Sequence, residues 1–281
     1  MRWAGRGRHQ RPGRLRGDVI SVSETAEEVL VESHGEVRVI TLNRPDARNP
    51  ASTTMLFRLT ELARELADDK TVRVVVLTGA GKAFSAGGDF KHFVATATDP
   101  AVARATLDNG REFVQAMLDL PIPVIAAVNG AAVGFGATLA ALSDIVLMAD
   151  AAFIAEPHVN VGLVLGDGIS VTWPFLVALN KAKELVYTGD RIYAADAVAC
   201  GLANRVVPSA DLMTEALALA ERIARQPRSA LEGSKAILNM YPKAVLSTVL
   251  ESMLVRQYDQ ITGPDHGRIA QELIAKAGAR K

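Results

Sequence analysis

Two glycine-rich stretches each follow an apolar run in the sequence: Phe84-Ser85-Ala86-Gly87-Gly88-Asp89 and Asn129-Gly130-Ala131-Ala132-Val133-Gly134-Phe135-Gly136. The apolar runs are residues 72–77 and 124–128, and the helix-forming residues 137–142 come directly after the second stretch. Glycine permits a positive φ and a close approach of backbones. The first N–H groups of a helix have no partner inside that helix and carry partial positive charge. Two such turns, brought together, would offer a pair of N–H donors to an oxyanion.

The composition is that of a globular protein with a sizeable core. Of 281 residues, 49% are hydrophobic and 22% are charged, which fits one large domain or one domain with an extension. The 31 basic and 31 acidic residues cancel, so the whole-chain charge gives no argument for nucleic acid or an anionic membrane as partner. Aromatic residues make up 5% of the chain, too few to favour stacking platforms for bases.

Cysteine content and hydropathy favour a cytoplasmic location. Cys200 is the single cysteine and cannot form an internal disulfide, so a reducing compartment fits, and we expect a core residue there. No apolar run approaches the ~20 residues of a membrane span. Residues 1–22 begin with an arginine-rich, glycine-rich and acid-free segment, which predicts a basic, disordered tail.

The order of the predicted elements indicates an α/β core followed by helices. Residues 29–31 and 37–42 read as a hairpin, and Ser52 can cap a helix that follows it. Apolar runs alternating with helical patterns favour repeated βαβ units. From about residue 211 the strand pattern ends, so we predict a core over 23–210 and a helical region over 211–281.

Several stretches in order resemble the crotonase (enoyl-CoA hydratase/isomerase) superfamily. The matching stretches are residues 40–45, 74–79, 82–89, 127–136, 185–192 and 194–207. The resemblance implies a spiral of ββα turns with a C-terminal helical region that packs a homotrimer or a dimer of trimers. It also implies an acyl-CoA substrate whose thioester enolate is held by the backbone amides of Gly88 and Phe135, with no cofactor apart from the CoA of the substrate.

The same resemblance assigns the positions that would hold the substrate. It places the CoA and acyl-binding positions at Ala47, Arg48, Ala86, Asp89, Phe90, Gly134 and Pro157. The family's C-terminal signature is blurred at residues 267–272, which puts in doubt a contribution of a neighbouring subunit to the CoA site.

Both catalytic glutamates of the family's hydratases are missing. Their positions hold Thr138 and His158, and a threonine does not titrate usefully near neutral pH. The carboxylate of Asp167 could orient the ring of His158 as it takes a proton. The segment resembles the β-diketone hydrolases of the 6-oxocamphor hydrolase type, which use a His–Asp pair, although Phe135 stands where that branch carries a histidine.

Other titratable residues have more ordinary interpretations. Glu156 is a rival acid beside His158, but we expect a solvated turn residue. His34 and His266 are expected to be exposed, the latter in a terminal loop, and His92 is expected to lie off the site. No spacing of ligand-type residues indicates a metal, and neither glycine stretch has the pattern of a phosphate loop.

Three functions follow as hypotheses. The first is an enzyme acting on an acyl-CoA thioester, with His158 and Asp167 as the catalytic pair. The second is a CoA-independent hydrolase that cleaves a carbon–carbon bond of a β-diketone. The third is a catalytically silent relative that binds acyl-CoA or serves as an assembly subunit, because both glutamates are absent.

Overall fold

The computed structural model describes residues 28–278 of the chain. The basic segment predicted at 1–22 lies outside the described residues, and so do the last three residues of the helical region. Within 28–278 the strands are β1 (Val29–His34), β2 (Val37–Leu42), β3 (Val74–Gly79), β4 (Ala83–Ser85), β5 (Val124–Val128), β6 (Ala131–Val133), β7 (Ile145–Ala149), β8 (Phe153–Ala155), β9 (Ile192–Tyr193) and β10 (Arg205–Val207).

The helices lie between and after these strands. Over the same residues they are α1 (Thr53–Asp68), α2 (Phe90–Thr98), α3 (Pro100–Asp119), α4 (Phe135–Leu142), α5 (Ile169–Leu176), α6 (Leu179–Thr188), α7 (Ala194–Cys200), α8 (Leu212–Ala224), α9 (Arg228–Leu238), α10 (Met240–Ile261) and α11 (Pro264–Gly278). Two single-turn 3-10 helices are formed by Pro45–Ala47 and His158–Val161.

The main sheet has six strands in the order β1-β2-β3-β5-β7-β10. β1 and β2 form the predicted antiparallel hairpin, and the remaining neighbours are parallel, with Leu77 opposite Ala126 and Ala127 opposite Leu147. β3 and β5 are buried along their whole length because the sheet is covered on both faces, as their continuous apolar sequences predict. The fold class is therefore the predicted mixed α/β class.

A second, smaller sheet runs β4-β6-β8-β9 and stands directly beside the glycine turns. Its strands have two or three residues each. β4, β6 and β8 are parallel neighbours, with Ser85 opposite Ala132 and Val133 opposite Ala155. Because these three strands are parallel neighbours, the segments that follow β4, β6 and β8 lie side by side at one edge of the sheet.

The first helix begins where the sequence predicts. The hydroxyl of Ser52 accepts a hydrogen bond from the Met55 amide at 2.9 Å, which is the predicted N-cap. α1 packs against α3, and α8 covers β3 and β5 of the main sheet. Residues Met55, Leu59 and Leu62 of α1 are buried in the common hydrophobic core.

The C-terminal helices fold back over their own chain. α10 packs against α3 and α5, and α11 packs against α2. Lys235 of α9 is buried and ties this region to the sheet, because its ammonium group pairs with Asp144 at 2.7 Å and donates to the Ile122 carbonyl at 2.8 Å. Among the described helices, none has the length and apolar character needed to cross a membrane.

Candidate active site

The two glycine turns lie against each other. A Cβ atom added to Gly136 would lie 2.7 Å from the carbonyl oxygen of Ser85, and one on Gly134 would lie 3.9 Å from Cα of Gly87. Gly87 and Gly134 have φ values of +98° and +50°, which side chains rarely adopt. Glycine at these positions is therefore what allows the two backbones to meet.

One backbone N–H of each turn is left without an acceptor. Residues Ala51 and Gly88 form an isolated parallel bridge, which uses the Gly87 carbonyl and the Asp89 amide but not the Gly88 amide. Phe135 is the first residue of α4, where an amide has no partner within the helix. Within residues 28–278, neither the Gly88 nor the Phe135 N–H donates a backbone hydrogen bond.

Both amides belong to residues that line a cavity of about 390 Å³. One side of this cavity is formed by the glycine turns and by the segment after β8. The opposite side is formed by α2, α3 and the C-terminal helices α10 and α11. Of the positions expected to bind substrate, Ala86, Phe90, Gly134 and Pro157 line the cavity, and His158 and Asp167 do so as well.

Ala47, Arg48 and Asp89 lie outside the cavity wall, on the surface beside the first turn. Ala47 and Arg48 are exposed, and the Asp89 carboxylate pairs with the Arg44 guanidinium at 3.1 Å. Nδ2 of the buried Asn49 donates to the Ala83 carbonyl at 2.8 Å and so holds this surface segment against the turn. These three residues can contact only the part of a ligand that extends out of the cavity.

Glu156 is the hydrogen-bond partner of His158, which corrects two expectations. Its side chain is 1% exposed, so it is not a solvated turn residue. Oε1 of Glu156 accepts a hydrogen bond from Nδ1 of His158, and the His158 amide donates to the same oxygen at 3.2 Å. β8 ends at Ala155, and the backbone turns at Pro157 (φ −95°, ψ 24°) into the single-turn helix that begins at His158. This turn brings the two side chains together, and the orienting carboxylate is Glu156 rather than Asp167.

Asp167 faces the same cavity without a hydrogen bond to the His158 ring. Its backbone is left-handed, with φ +54°, at the turn just before α5. Oδ1 of Asp167 and Oγ1 of Thr138 are both buried and have no partner among the described residues. Thr138 is fully buried at the position where a family hydratase has a glutamate.

Burial and the neighbouring carboxylates act on the pKa of His158 in opposite directions. Burial lowers this pKa, but the Glu156 carboxylate and, more weakly, Asp167 raise it by a larger amount, and the result is a pKa of about 9. At neutral pH this imidazole is therefore protonated, which a histidine acting as a base would not be.

Asp167 is shifted into the neutral range. Burial raises its pKa, the positive charge of His158 lowers it, and the Glu156 carboxylate raises it again, to about 7. The nearby Thr138 hydroxyl and the Ile169 amide lower it by smaller amounts. Near pH 8 the cavity thus holds a proton donor, His158, beside an ionised acceptor, Asp167. Such a pair, with each pKa near the working pH, suits acid–base catalysis.

Two further histidines line the cavity, contrary to expectation. His266 is 1% exposed and lies in α11, a helix that the sequence analysis read as a terminal loop. His92 lies in α2, where Nε2 of its ring contacts Oγ1 of Thr106 at 2.7 Å. Burial lowers the pKa of both rings. No local sequence pattern indicates that either histidine lines the cavity, because only the packing of α2, α3 and α11 places them there.

Among the described residues, no group of three or more histidine, cysteine, aspartate and glutamate side chains could hold a metal ion. His158 and Asp167 are titratable groups that line the cavity together with residues of the two glycine turns, and Glu156 is the hydrogen-bond partner of His158.

Comparison with known proteins gives one family. Residues 32–266 match the sequence profile of the family described as enoyl-CoA hydratase/isomerase. "Probable enoyl-CoA hydratase echA8" of Mycobacterium tuberculosis is 36% identical over 231 residues, which cover 82% of this chain and 87% of that protein.

Solved structures agree with this match. The crystal structure of an enoyl-CoA hydratase/isomerase from Mycobacterium paratuberculosis is 43% identical, with a TM-score of 0.85 over 88% of this chain and 98% of that one. A monofunctional enoyl CoA isomerase from M. smegmatis is 33% identical, with a TM-score of 0.65 over 78% of this chain and 95% of that one.

Proposed function

The chain belongs to the enoyl-CoA hydratase/isomerase family, and from that membership and the site geometry we propose that it catalyses proton transfer on an acyl-CoA thioester. The thioester oxygen would accept hydrogen bonds from the Gly88 and Phe135 amides. Donors aimed at an oxygen that gains negative charge stabilise the enolate more than the ground state. The free state of these two amides is consistent with that role.

In this proposal Asp167 is the base and His158 is the acid. The Asp167 carboxylate removes a proton from the carbon next to the thioester carbonyl, and the electron pair of that C–H bond moves onto the carbonyl oxygen. The His158 imidazolium then gives a proton to the carbon chain or to a leaving hydroxyl group. The Glu156 carboxylate, through its hydrogen bond, favours the protonated form of His158.

One observation supports this division of roles above the others. The carboxylate of Glu156 is hydrogen-bonded to the ring of His158, and His158 and Asp167 line the same cavity. A family hydratase would use two glutamates at positions 138 and 158. Here His158 and Asp167 are the two acid–base groups in the cavity, and the buried carboxylate of Glu156 lies behind the His158 ring.

The test follows the exchange of the α-protons of hexanoyl-CoA and 3-hydroxybutyryl-CoA, both of which have an sp³ α-carbon, in D₂O by ¹H NMR. We expect the wild-type protein to exchange the α-protons of at least one thioester and the Asp167→Asn variant to exchange neither. This readout detects the enolate whether the complete reaction is hydration or isomerisation.

The two rival functions have their own outcomes. Cleavage of a cyclic β-diketone without α-proton exchange of either thioester would favour the CoA-independent hydrolase. Binding of both thioesters without exchange or cleavage would favour a silent acyl-CoA-binding relative. The family's trimeric assembly is part of the proposal and is tested by the mass of the protein in solution.

A further inference from the structure

His266 contributes an unpartnered nitrogen to the cavity wall. Nδ1 of its ring lies 2.8 Å from the carbonyl oxygen of Val161, which can only accept, so Nδ1 carries the proton. Burial lowers the pKa of His266, which keeps the ring neutral near pH 7. In a neutral ring with a protonated Nδ1, Nε2 is a hydrogen-bond acceptor.

Nothing among the described residues uses that acceptor. Nε2 of His266 is buried and has no hydrogen-bond partner. The ring also packs against Phe93 with their centroids 5.4 Å apart, and the cavity wall nearby includes Met253 and Ile261. A buried acceptor among apolar groups is unfavourable unless a ligand or a water molecule donates to it.

Two contacts, through Phe93 and through Val161, connect His266 with the residues of the proposed reaction site. A Cβ on Gly88 would lie 2.6 Å from the ring of Phe93, so Phe93 contacts both Gly88 and His266. Val161, which accepts from His266, belongs to the same single-turn helix as His158. An acyl chain whose thioester is held at Gly88 can therefore extend past His158 and Phe93 towards His266.

Resting on the function proposed above, we infer that His266 selects acyl thioesters whose acyl chain carries a hydroxyl group beyond the reacting carbons. The hydroxyl donates to Nε2 of His266. A site built to bind a hydroxyl discriminates strongly against the analogue that lacks it, because the buried acceptor is then left unpaired. The bond is one of recognition only, and His266 moves no proton in the reaction.

The test measures affinity by calorimetry for hexanoyl-CoA and for its 4-, 5- and 6-hydroxy derivatives. At least one hydroxylated thioester is expected to bind the wild-type protein about tenfold or more tightly than hexanoyl-CoA. The His266→Asn variant keeps a donor close to the position of Nδ1, and so the bond to Val161, but has no atom at Nε2. It should lose the preference while binding hexanoyl-CoA within about threefold of wild type.

His266→Phe is the second variant, since it fills the same volume and removes both nitrogens. It should also lose the preference, and circular dichroism checks that both variants fold. Equal affinity of the wild type for all four thioesters, or a preference that survives in His266→Asn, overturns the inference and leaves the proposed function standing. Failure of the wild type to bind any of the four overturns the proposed function, and this inference with it.

Discussion

The buried Glu156 carboxylate accepts a hydrogen bond from the ring of His158, two residues along the chain. Both residues come after β8 in the chain. The second carboxylate oxygen of Glu156, Oε2, has no hydrogen-bond partner among the described residues. An ionised carboxylate in this position stabilises the charged form of the ring beside it. This contact raises the pKa of His158 to about 9, which is why the proposed mechanism makes His158 the acid and Asp167 the base.

Asp167→Asn should remove the base. We expect kcat for α-proton exchange to fall by about 10²–10⁴-fold, since that is the usual contribution of a general base. Affinity for hexanoyl-CoA should change by less than about threefold, because the Gly88 and Phe135 amides remain. Asparagine tolerates the left-handed backbone of this position, with φ +54°, so the fold should be kept.

The control for that variant is Asp196→Asn, an exposed aspartate in α7, which should exchange protons at the wild-type rate. Near-native turnover of Asp167→Asn, with the control also unchanged, would exclude Asp167 as the base.

Thr138→Val should change the pH dependence of the reaction more than its maximum rate. Thr138 and Asp167 line the same cavity, and although their side chains are not hydrogen-bonded to each other, the nearby hydroxyl favours the ionised form of Asp167 and so lowers its pKa. An isosteric side chain without the hydroxyl should therefore move the acid limb of the pH–rate profile to higher pH. At pH 8.5 the rate should stay within about tenfold of wild type, or ~1.4 kcal/mol of barrier. A loss of a thousandfold at that pH would mean that the hydroxyl takes part in the reaction.

Gly136→Ala tests the contact between the two glycine turns. Its Cβ would lie 2.7 Å from the Ser85 carbonyl oxygen, so overpacking should destabilise the fold by about 1–3 kcal/mol in a denaturant titration. The matched variant is Gly233→Ala in α9, where a Cβ meets nothing within 4 Å. There the higher helix propensity of alanine should stabilise the fold by about 0.5–1 kcal/mol. Equal effects of the two substitutions would argue against a tight contact.

Ionisation of Asp167 should lower the free energy of unfolding, whereas ionisation of a salt-bridged aspartate raises it. Its pKa rises from 3.8 in the unfolded chain to about 7 in the fold, so between these values the folded state holds a proton that the unfolded state has released. Raising the pH through this window therefore destabilises the wild type, by about 1.4 kcal/mol per unit.

Asparagine does not titrate, so the Tm of Asp167→Asn relative to wild type should rise between pH 4.5 and pH 6. The expected gain is at least about 2 °C. This range lies below the ordinary histidine pKa of 6.5, so His158, whose pKa depends on Asp167, is protonated in the folded and unfolded states of both proteins. A Tm difference that stays constant across this range would show that the pKa of Asp167 is not raised.

The central strands of the main sheet, β3, β5 and β7, could be predicted from the sequence because they consist mainly of continuous apolar runs. β5 and β7 begin and end where the apolar residues do, at Val124–Val128 and Ile145–Ala149. The second sheet could not, because strands of two or three residues, such as Phe153–Ala155, are too short to show a period of two. Their pairing is set by the turns that precede them.

The site was predictable where the chemistry is local. The glycine turns can be predicted from the sequence, because the backbone conformations at Gly87 and Gly134 favour glycine. The partner of His158 cannot, because the assignment of Asp167 depends on a resemblance to another branch of the family. The contact of Glu156 with His158 depends on the turn at Pro157 that follows β8, which the sequence pattern does not reveal. His266 had no such signal, because its burial depends on how α11 packs against α2.

The most direct test is the pH dependence of kcat/KM for a complete reaction that needs both the base and the acid, namely dehydration of 3-hydroxybutyryl-CoA or isomerisation of 3-hexenoyl-CoA, in wild type and in Glu156→Gln. The wild-type rate should rise through a pKa of about 7 as Asp167 ionises, and fall through a pKa of about 9 as His158 loses its proton. Without the Glu156 carboxylate, the upper limb should move down by at least about one unit. Glu32→Gln is the control, since Glu32 lies 3.6 Å from the exposed His34 at the same spacing, and it should leave the profile unchanged. An upper limb near pH 9 that stays in place in Glu156→Gln would contradict the assignment of His158 as an acid held by Glu156.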